Sequence, residues 1–421
     1  MKFLSFLVVS FFSLQVFAID AEFLGYLRGG TGLNFQGGKQ ECFYNQGIPG
    51  NFLRLGNECS FYSEIAVIFH HKKPTVEDSV FFRTQVRMMF NALGTSQWEP
   101  ASTRDINQIE AFVTAGGLSE LPGELWVGKR FYRDVDLHIF DWYYYADMSG
   151  VGAGWQNIQA GPGLFSIAHL IQTNENVQTD VGRPTLQAID LRWAQVPLSH
   201  DHKLNFWGVF SWAPAGDDGT NKYVASNGYS VASRMESFIG EGVNNFSLMY
   251  GKGTMKDFNI YASSAVPATD DSQNKAWSVR AVENWNKEVT DRWAFMLGLA
   301  GEYGDTGADT DSRRYFYEVG LRPLYYVTDR FQWVLELGYS RILNESEKTG
   351  GDPVGERDLS RITLAPQISF SKSIWGRPVL RAFVTHTIWN TANKSYVGVS
   401  APSFKEETAG TSFGYQFEAW F

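Results

Sequence analysis

Segments in which apolar and polar side chains alternate recur along almost the whole chain. The segment 330–340, for example, places Phe331 and Trp333 on one face and Gln332 and Glu336 on the other. Successive side chains of a β-strand point to opposite faces, so the pattern predicts strands with one apolar face. No window of useful length favours an amphipathic helix, and the sequence therefore predicts an all-β protein.

The predicted strands are connected by links of two kinds. The strands lie at 19–32, 52–69, 78–93, 104–113, 123–131, 152–160, 162–172, 184–196, 202–212, 226–239, 243–252, 256–264, 273–285, 292–303, 312–327, 330–342, 357–371, 377–390 and 410–421. Links such as 328–331 are tight, whereas 212–226, 304–312, 343–357 and 390–410 are long and polar. Short turns at one end and long loops at the other are typical of a transmembrane antiparallel β-barrel. The count is about 18 to 19, and because bacterial barrels have even numbers we predict about 18 strands around an aqueous lumen.

Composition and the C-terminal segment support this fold. Charged residues make up 19% of the chain, a low value that fits a membrane barrel or a large soluble all-β protein. No segment beyond the N-terminus approaches the roughly 20 apolar residues of a membrane-spanning helix, so a membrane role requires a barrel. In the closing segment, Phe413, Phe417 and Phe421 share one parity, and Trp420 falls on the polar parity with Glu418. A large ring on the lumen side indicates a ligand or a packed loop.

The N-terminus and the cysteines indicate export. Residues 1–18 carry one lysine and a long apolar run that ends in Val16-Phe17-Ala18, which predicts a signal peptide followed by a barrel domain at 19–421. An N-terminal anchor helix is the weaker reading, because the run is short for spanning a membrane. The chain has two cysteines, Cys42 and Cys59, and we expect them to form a disulfide in an oxidising compartment.

Several classes of partner are not expected. A formal net charge of −9 without a basic cluster argues against nucleic acid. The pairs His70–His71 and His200–His202 lie in polar turns, and two cysteines alone lack the other ligands of a metal site, so we predict no metal. No cofactor or energy source is implied.

The stretch 128–154 departs from the alternation and combines charged with aromatic side chains. Long loops in compact proteins are usually functional, and we predict that residues 131–149 fold into the lumen and constrict it. Their carboxylates, arginines and tyrosines can exchange hydrogen bonds with a polar solute, and sugar rings stack their C–H faces on aromatic side chains. A glycosidase acid–base pair among Asp134, Asp136 and Asp141 is the weaker reading, because water floods a wide pore and the neighbouring Arg and Tyr groups keep the carboxylates ionised.

The sequence resembles the maltoporin family, the sugar-specific trimeric outer-membrane porins. The likeness covers essentially the whole mature chain and is closest in FLGYLRGGTG, CF…RLGNEC, WVGKRFYRDVDLHIFDWYYYADMSGVGAG, SIWGRPVLRAF and FEAWF. The resemblance implies an 18-stranded barrel in which a row of aromatic rings is flanked by a polar track. The residues that match positions of the aromatic row are Tyr26, Tyr62, Trp98, Trp375 and Trp420. The family counterpart of Trp98 reaches into a neighbouring subunit's pore, which implies a homotrimer.

The polar track and the departures from it also follow from the resemblance. Track positions are matched by Arg28, Arg54, Asp136, Asp141 and Tyr143, and Arg133 joins them because it directly precedes a further track position. That position holds Asp134 here, Asn107 stands for another track arginine, and Val243 stands where the family has a sixth ring. These departures suit a different glycoside or a less selective pore.

Three hypotheses about function remain. The first is an outer-membrane porin that lets maltodextrin-like or other glycosides diffuse passively, with carbohydrate, membrane lipid and copies of itself as partners and no enzymatic activity. The second is a general or ion-selective porin, in which flux follows size and charge alone. The third is a secreted β-sandwich lectin or glycosidase, which would be soluble without detergent and would hide its apolar residues in a core.

Overall fold

The computed structural model describes residues 20–50, 52–76, 78–92, 104–172, 183–261, 268–349 and 352–421. Eighteen strands form one sheet, and the first pairs with the last, so the sheet closes into a barrel. The strands are β1 Asp20–Asn34, β2 Phe61–Lys72, β3 Phe81–Ala92, β4 Arg104–Leu118, β5 Leu121–Arg130, β6 Gly150–Ala160, β7 Gly163–Gln172, β8 Leu186–Pro197, β9 His202–Ala213, β10 Ser226–Phe238, β11 Gly242–Gly253, β12 Trp277–Thr290, β13 Trp293–Asp305, β14 Arg313–Tyr326, β15 Phe331–Asn344, β16 Arg357–Ser369, β17 Val379–Trp389 and β18 Ala409–Trp420. The predicted antiparallel 18-stranded barrel is confirmed.

The links between strands differ at the two ends of the barrel. The short-turn end carries 73–80, 119–120, 161–162, 198–201, 239–241, 291–292, 327–330 and 370–378. The long-loop end carries longer links, whose described residues are 35–50, 52–60, 131–149, 183–185, 214–225, 254–261, 268–276, 306–312, 345–349, 352–356 and 390–408. Small hairpins at 216–223 and 348–353 and the short helices Ser272–Lys275 and Lys394–Ser400 lie within the long loops. No helix in the described ranges is long and apolar enough to cross a membrane.

Two predicted strands are wrong in position. The predicted strand 52–69 begins only at Phe61, and the residues before it, Arg54 included, belong to a loop. The described part of the predicted strand 256–264 is a turn, in which the N–H groups of Lys256 and Phe258 donate to carbonyls three residues earlier. This turn accounts for the one strand by which the sequence count exceeded 18.

The barrel is apolar outside and polar inside. Phe23, Leu380 and Tyr415 point outward and are each at least 60% exposed, whereas Glu336 and Gln332 on the inner face are fully buried. A soluble β-sandwich has the opposite distribution, since its apolar side chains meet in a core. The outward apolar band is the pattern of a barrel surrounded by lipid.

Residues 131–149, the constriction loop, fold into the barrel interior as predicted. Phe140 and Met148 are fully buried, and Tyr144 is nearly so. Its hydroxyl donates to the carboxylate of Glu318 on the inner face of β14. The loop therefore packs against the wall of the barrel and does not project from its rim.

Three glycines on the barrel wall form the seat of this loop. Gly298, Gly320 and Gly338 are neighbours in register across β13, β14 and β15. A Cβ atom on Gly320 would lie 2.7–2.8 Å from the side chains of Leu53, Ile139 and Phe140. We call these three residues the glycine row, and their missing side chains provide the space that the loops occupy.

The loop at 35–60, the first loop, also folds inward and packs on the constriction loop. The Arg54 N–H donates to the Ile139 carbonyl at 3.2 Å, and the rings of Phe52 and Phe140 stack with centroids 5.9 Å apart. Cys42 and Cys59 form the expected disulfide, with Cα atoms 5.9 Å apart. The covalent bond closes the first loop on itself just before β2 begins.

We expect the Cys42→Ser/Cys59→Ser variant to fold into an intact barrel with a loosened first loop. A disulfide closing a loop of this length contributes about 3 kcal/mol, and the hydrogen-bonded strands do not depend on it. Limited trypsin digestion followed by mass spectrometry should detect faster cleavage after Lys39 and Arg54 in the variant than in oxidised wild type. Wild type treated with reductant is the matched control, and equal cleavage in all three samples would contradict the expectation.

Candidate functional site

A cavity of about 590 Å³ lies between the constriction loop and the inner faces of β1, β2, β3 and β18. Its lining includes four arginines and four carboxylates, Arg28, Arg54, Arg87, Arg133, Glu64, Asp136, Asp141 and Asp147. Most of the remaining lining is aromatic: Tyr26, Tyr62, Phe131, Trp142, Tyr143 and Trp420. The narrow part of the lumen thus combines aromatic rings with a balanced set of charges.

The rings come from neighbouring parts of the sheet. Tyr26 on β1 and Tyr62 on β2 have ring centroids 6.1 Å apart. Trp420 on β18 is the register partner of Tyr26, and its ring lies 6.4 Å from that of Trp375 in the 370–378 link. The four side chains form a row from the short-turn end toward the long-loop end, because inward-facing residues of adjacent strands lie side by side.

The arginines beside this row are held by carboxylates of the first loop and the constriction loop. Glu58 accepts from Arg54 at 2.7 Å and lies 3.3 Å from Arg28. Asp141 lies 3.7 Å from Arg54 and 3.9 Å from Arg28. A guanidinium group has five N–H donors, so pairing with several acceptors at once fixes its orientation.

Glu418 on β18 joins the row to this charged network. Its carboxylate accepts from Arg377 at 2.8 Å and from Arg381 at 3.2 Å, and it lies 3.3 Å from Arg54. The Tyr26 hydroxyl donates to the same carboxylate at 3.1 Å. One buried carboxylate therefore lies near three arginines and orients one ring of the row.

Arg133 on the constriction loop is held by rings. Its guanidinium carbon lies 3.7 Å from the centroid of Phe131 and 3.9 Å from that of Tyr143, so the cation is stacked between two aromatic faces. Burial raises the pKa of Tyr143 to about 12, against the opposing effect of Arg133, so its hydroxyl stays protonated at neutral pH and can donate. Arg133 and Tyr143 together present donors to the cavity from the side opposite β1 and β2.

His138 lies where the constriction loop meets the aromatic row. Its ring is 5.4 Å from Trp375 and 6.1 Å from Trp420, centroid to centroid. Its two nitrogens are 3.2 Å from Arg54 and 3.4 Å from Arg377. Burial lowers the pKa of His138, and Arg54 acts in the same direction, so the imidazole is neutral at pH 7 and can accept from only one guanidinium at a time.

A second cavity, of about 810 Å³, lies on the long-loop side of the constriction. Trp142 and Tyr143 line both cavities. The tip of the constriction loop therefore separates an outer vestibule from the narrow part of the lumen.

The structure brings most of the sequence-predicted site residues together. The cavity is lined by Tyr26, Tyr62, Trp420, Arg28, Arg54, Arg133, Asp136, Asp141 and Tyr143. Trp375 lies beside it against His138 and Trp420, and Trp98 lies outside the described residues. The sequence analysis placed Arg54 on a strand, and this prediction is wrong. Arg54 reaches the cavity from the first loop.

The three departures from the family pattern lie at different places. Asp134 pairs with Arg234 on β10 at 2.8 Å. Val243 is half-buried at the start of β11, on the inward parity with Asn245 and Ser247. Asn107 is exposed on β4 and pairs in register with Met89.

Sequence reasoning missed several residues of the site. Glu64 and Glu418 share the strand parity of Tyr62 and Trp420, and that parity was the signal that could have identified them. Arg87 is on the inner face of β3, where it pairs with Glu64 at 3.0 Å and Glu110 at 2.6 Å. Phe131 and His138 lie within the predicted loop, but a loop has no periodicity from which inward side chains can be recognised.

An outward apolar band, a polar lumen and an inward loop that narrows it define a diffusion channel of the outer-membrane type, that is, a porin. The family model "LamB porin" matches residues 21–421, and the chain belongs to this family. As a LamB porin, the protein is an outer-membrane channel of the sugar or general diffusion type rather than an enzyme.

Several solved structures are similar to the chain. They include OccAB2 of Acinetobacter baumannii (11% identity, TM-score 0.49, 96% of this chain and 98% of that chain covered) and OccK1 (OpdK) of Pseudomonas aeruginosa (9%, 0.49, 96% and 98%). Another is the outer-membrane expressed OmpT of Vibrio cholerae (11%, 0.45, 95% and 97%). Identities and scores of this size carry no argument about solute, so the assignment rests on the family match.

Proposed function

We propose that this porin passes neutral saccharides by passive facilitated diffusion along the row Tyr26, Tyr62, Trp375 and Trp420. The observation that carries the proposal is that three of these rings, Tyr26, Tyr62 and Trp420, share one narrow cavity with four arginines and four carboxylates, and that Trp375 lies beside the cavity against Trp420. A balanced set of charges gives little preference for ions of either sign, yet it supplies many donors and acceptors. Such a lining suits a solute that has apolar ring faces and many hydroxyl groups.

Each group of residues has a distinct role in the proposed route. The solute enters from the outer vestibule, passes Trp142 and Tyr143, and stacks its C–H faces on the row. The side chains of Arg28, Arg54, Arg133, Asp136, Asp141 and Tyr143 replace the water that its hydroxyl groups lose. Each contact is weak, and the affinity for the solute as a whole is about 1 mM or weaker, roughly −4 kcal/mol, because a tight site would stall transport.

The assembly and the boundaries of the domain are part of the same proposal. The family resemblance supports a homotrimer in which Trp98 of one subunit extends the aromatic row of its neighbour. Residues 1–18 act as the signal peptide, and the barrel domain at 19–421 meets lipid through its outward apolar band. Chemical cross-linking of purified protein in detergent, read as monomer, dimer and trimer bands, tests the assembly.

We expect Trp420→Ala to weaken sugar block of ion current by about tenfold, because an inward ring is lost from the middle of the row. The measurement is a titration of single channels in planar bilayers with maltotriose, sucrose and an aryl β-glucoside. The matched control is Trp333→Ala, which removes an outward-facing tryptophan that is 42% exposed and should leave block unchanged.

Two outcomes of this titration decide between the porin types. Saturable block by one sugar class, weakened only in Trp420→Ala, supports the saccharide route and identifies the solute class. Steady current with every sugar on wild type would overturn the proposal and leave a general diffusion pore, a result that the valine at position 243 would help to explain.

A further inference from the structure

The link 370–378 differs from the other turns at its end of the barrel. Among the described residues of the eight short-turn links, buried ones occur only here, at Ile374 and Gly376. Ile374 is 4% exposed, and the next residue is Trp375. This link, which we call the strap, folds into the mouth of the barrel, whereas the other links lie at its rim.

A carboxylate on the far wall holds the strap. The backbone N–H of Ile374 donates to Glu288 on β12 at 2.9 Å. The Tyr326 hydroxyl at the end of β14 donates to the same carboxylate, at 2.8 and 3.0 Å to its two oxygens. The bond from Glu288 to the strap joins chain segments 86 residues apart and crosses part of the lumen.

The strap has open space beside it. An opening of about 560 Å³ is lined by Glu288, Tyr326 and Lys372 of the strap, together with residues of the 239–241 and 291–292 turns. Because the strap borders a solvent space there, side-chain packing alone does not fix its position on this side. The hydrogen bond to Glu288 supplies a fixed point immediately before Trp375.

The position of Trp375 depends on this fixed point. Its ring contacts His138 at 5.4 Å and Trp420 at 6.4 Å, which are its links to the constriction loop and to the aromatic row. On the other side, Arg377 donates to the Ile374 carbonyl at 3.2 Å and to Glu418 at 2.8 Å. The strap is thus held at one end by the charged network of the site and at the other by Glu288.

We propose that Glu288 is a positioning residue, which holds the strap across the short-turn mouth of the barrel and thereby positions Trp375 as the last ring of the row at that end. The inference rests on the proposed function for its consequence in transport. Glu288 acts through the N–H of Ile374 and does not touch the solute. The hydrogen bond to the strap depends on how far the side chain of Glu288 carries its acceptor oxygen, that is, on the reach of this oxygen. The negative charge of Glu288 is secondary.

Two substitutions separate reach from charge. Glu288→Gln keeps the length and an acceptor oxygen, so block by the strongest blocker among maltotriose, sucrose and an aryl β-glucoside should stay as in wild type. Glu288→Asp keeps the charge but is one methylene shorter, so the half-blocking concentration should rise roughly three- to tenfold, as for the loss of one aromatic contact. Sugar block of the double variant Glu288→Asp/Trp375→Ala should be no weaker than sugar block of Trp375→Ala alone.

A second measurement needs no sugar. Both native cysteines are in the disulfide, so Ile374→Cys introduces the one free thiol of the chain. In a Glu288→Asp background, this buried thiol should react with a maleimide at least about tenfold faster than with Glu288 intact, because the strap is released. In a Glu288→Gln background the rate should stay low.

The outcomes distinguish this inference from the proposed function. No sugar block in wild type would end the saccharide proposal, and the labelling rates would still decide the role of Glu288. In one contrary outcome, Glu288→Asp behaves as wild type while Glu288→Gln shows weaker sugar block and faster labelling. In that case the charge of Glu288 matters, and the proposal that the reach of its acceptor oxygen holds the strap is overturned. Equal labelling in all backgrounds would also overturn it.

Discussion

Glu418→Gln should make the pore anion-selective and weaken the closure of the barrel. The carboxylate lies within 3.3 Å of Arg54, Arg377 and Arg381 and is 3% exposed at its side chain. Removal of its charge leaves three arginines without their common counter-ion in a region that excludes most water. Breaking a buried ion pair typically costs about 3–5 kcal/mol, so the unfolding temperature should fall as well.

The reversal potential in a potassium chloride gradient is the measurement for this variant. Heat modifiability on a gel reports the loss of stability in parallel. The matched control is Glu22→Gln on the same face of the neighbouring strand β1, where the side chain is 54% exposed and lies 3.4 Å from His70. An unchanged reversal potential in Glu418→Gln would show that the network rearranges around the missing charge.

Gly320→Ala should lower single-channel conductance by shifting the constriction loop. The new methyl group would lie within 2.8 Å of Leu53, Ile139 and Phe140, so the loops must move away from β14. The face of the constriction loop that carries Asp136, Asp141 and Tyr143 then approaches β1 and β2, and the lumen narrows. Overpacking of this kind costs about 1–3 kcal/mol, which a barrel of 18 paired strands can tolerate.

Gly301→Ala is the matched control for this prediction. Gly301 lies on β13, the strand that also holds Gly298, but a methyl group there would have its nearest neighbours at 3.8 and 3.9 Å. Conductance traces of the two variants and wild type, recorded at one salt concentration, give the comparison. Equal conductance in all three would mean that the position of the constriction loop does not depend on the glycine row.

The wall of the barrel could be predicted from the sequence because each strand obeys one local rule. Side chains alternate between lipid and lumen, and β18 shows the rule clearly, with Phe413 and Phe417 outside and Gln416 and Glu418 inside. Parity alone also put Trp420 in the lumen. The family resemblance added Trp375 and the tip of the constriction loop, which no periodicity identifies.

The contents of the lumen could not be predicted in the same way. Arg54 was assigned to a strand because the first loop contains a short alternating run, but its backbone N–H pairs with the constriction loop. The tether from Glu288 to Ile374 joins segments far apart in the chain, and no local pattern reports such a contact. Glycine is neutral in an alternation of apolar and polar residues, so the glycine row became apparent only once the register of β13, β14 and β15 was known.

The glycine row also separates the control of throughput from the control of selectivity. The side chains that line the narrow cavity belong to the loops and to β1, β2, β3 and β18, whereas the depth at which the loops sit is determined by three positions on β13, β14 and β15. Two pores with identical cavity-lining residues can therefore differ in aperture through one methyl group on the wall behind the loop. An engineer could use these positions to change the flow rate of the channel without altering what it recognises.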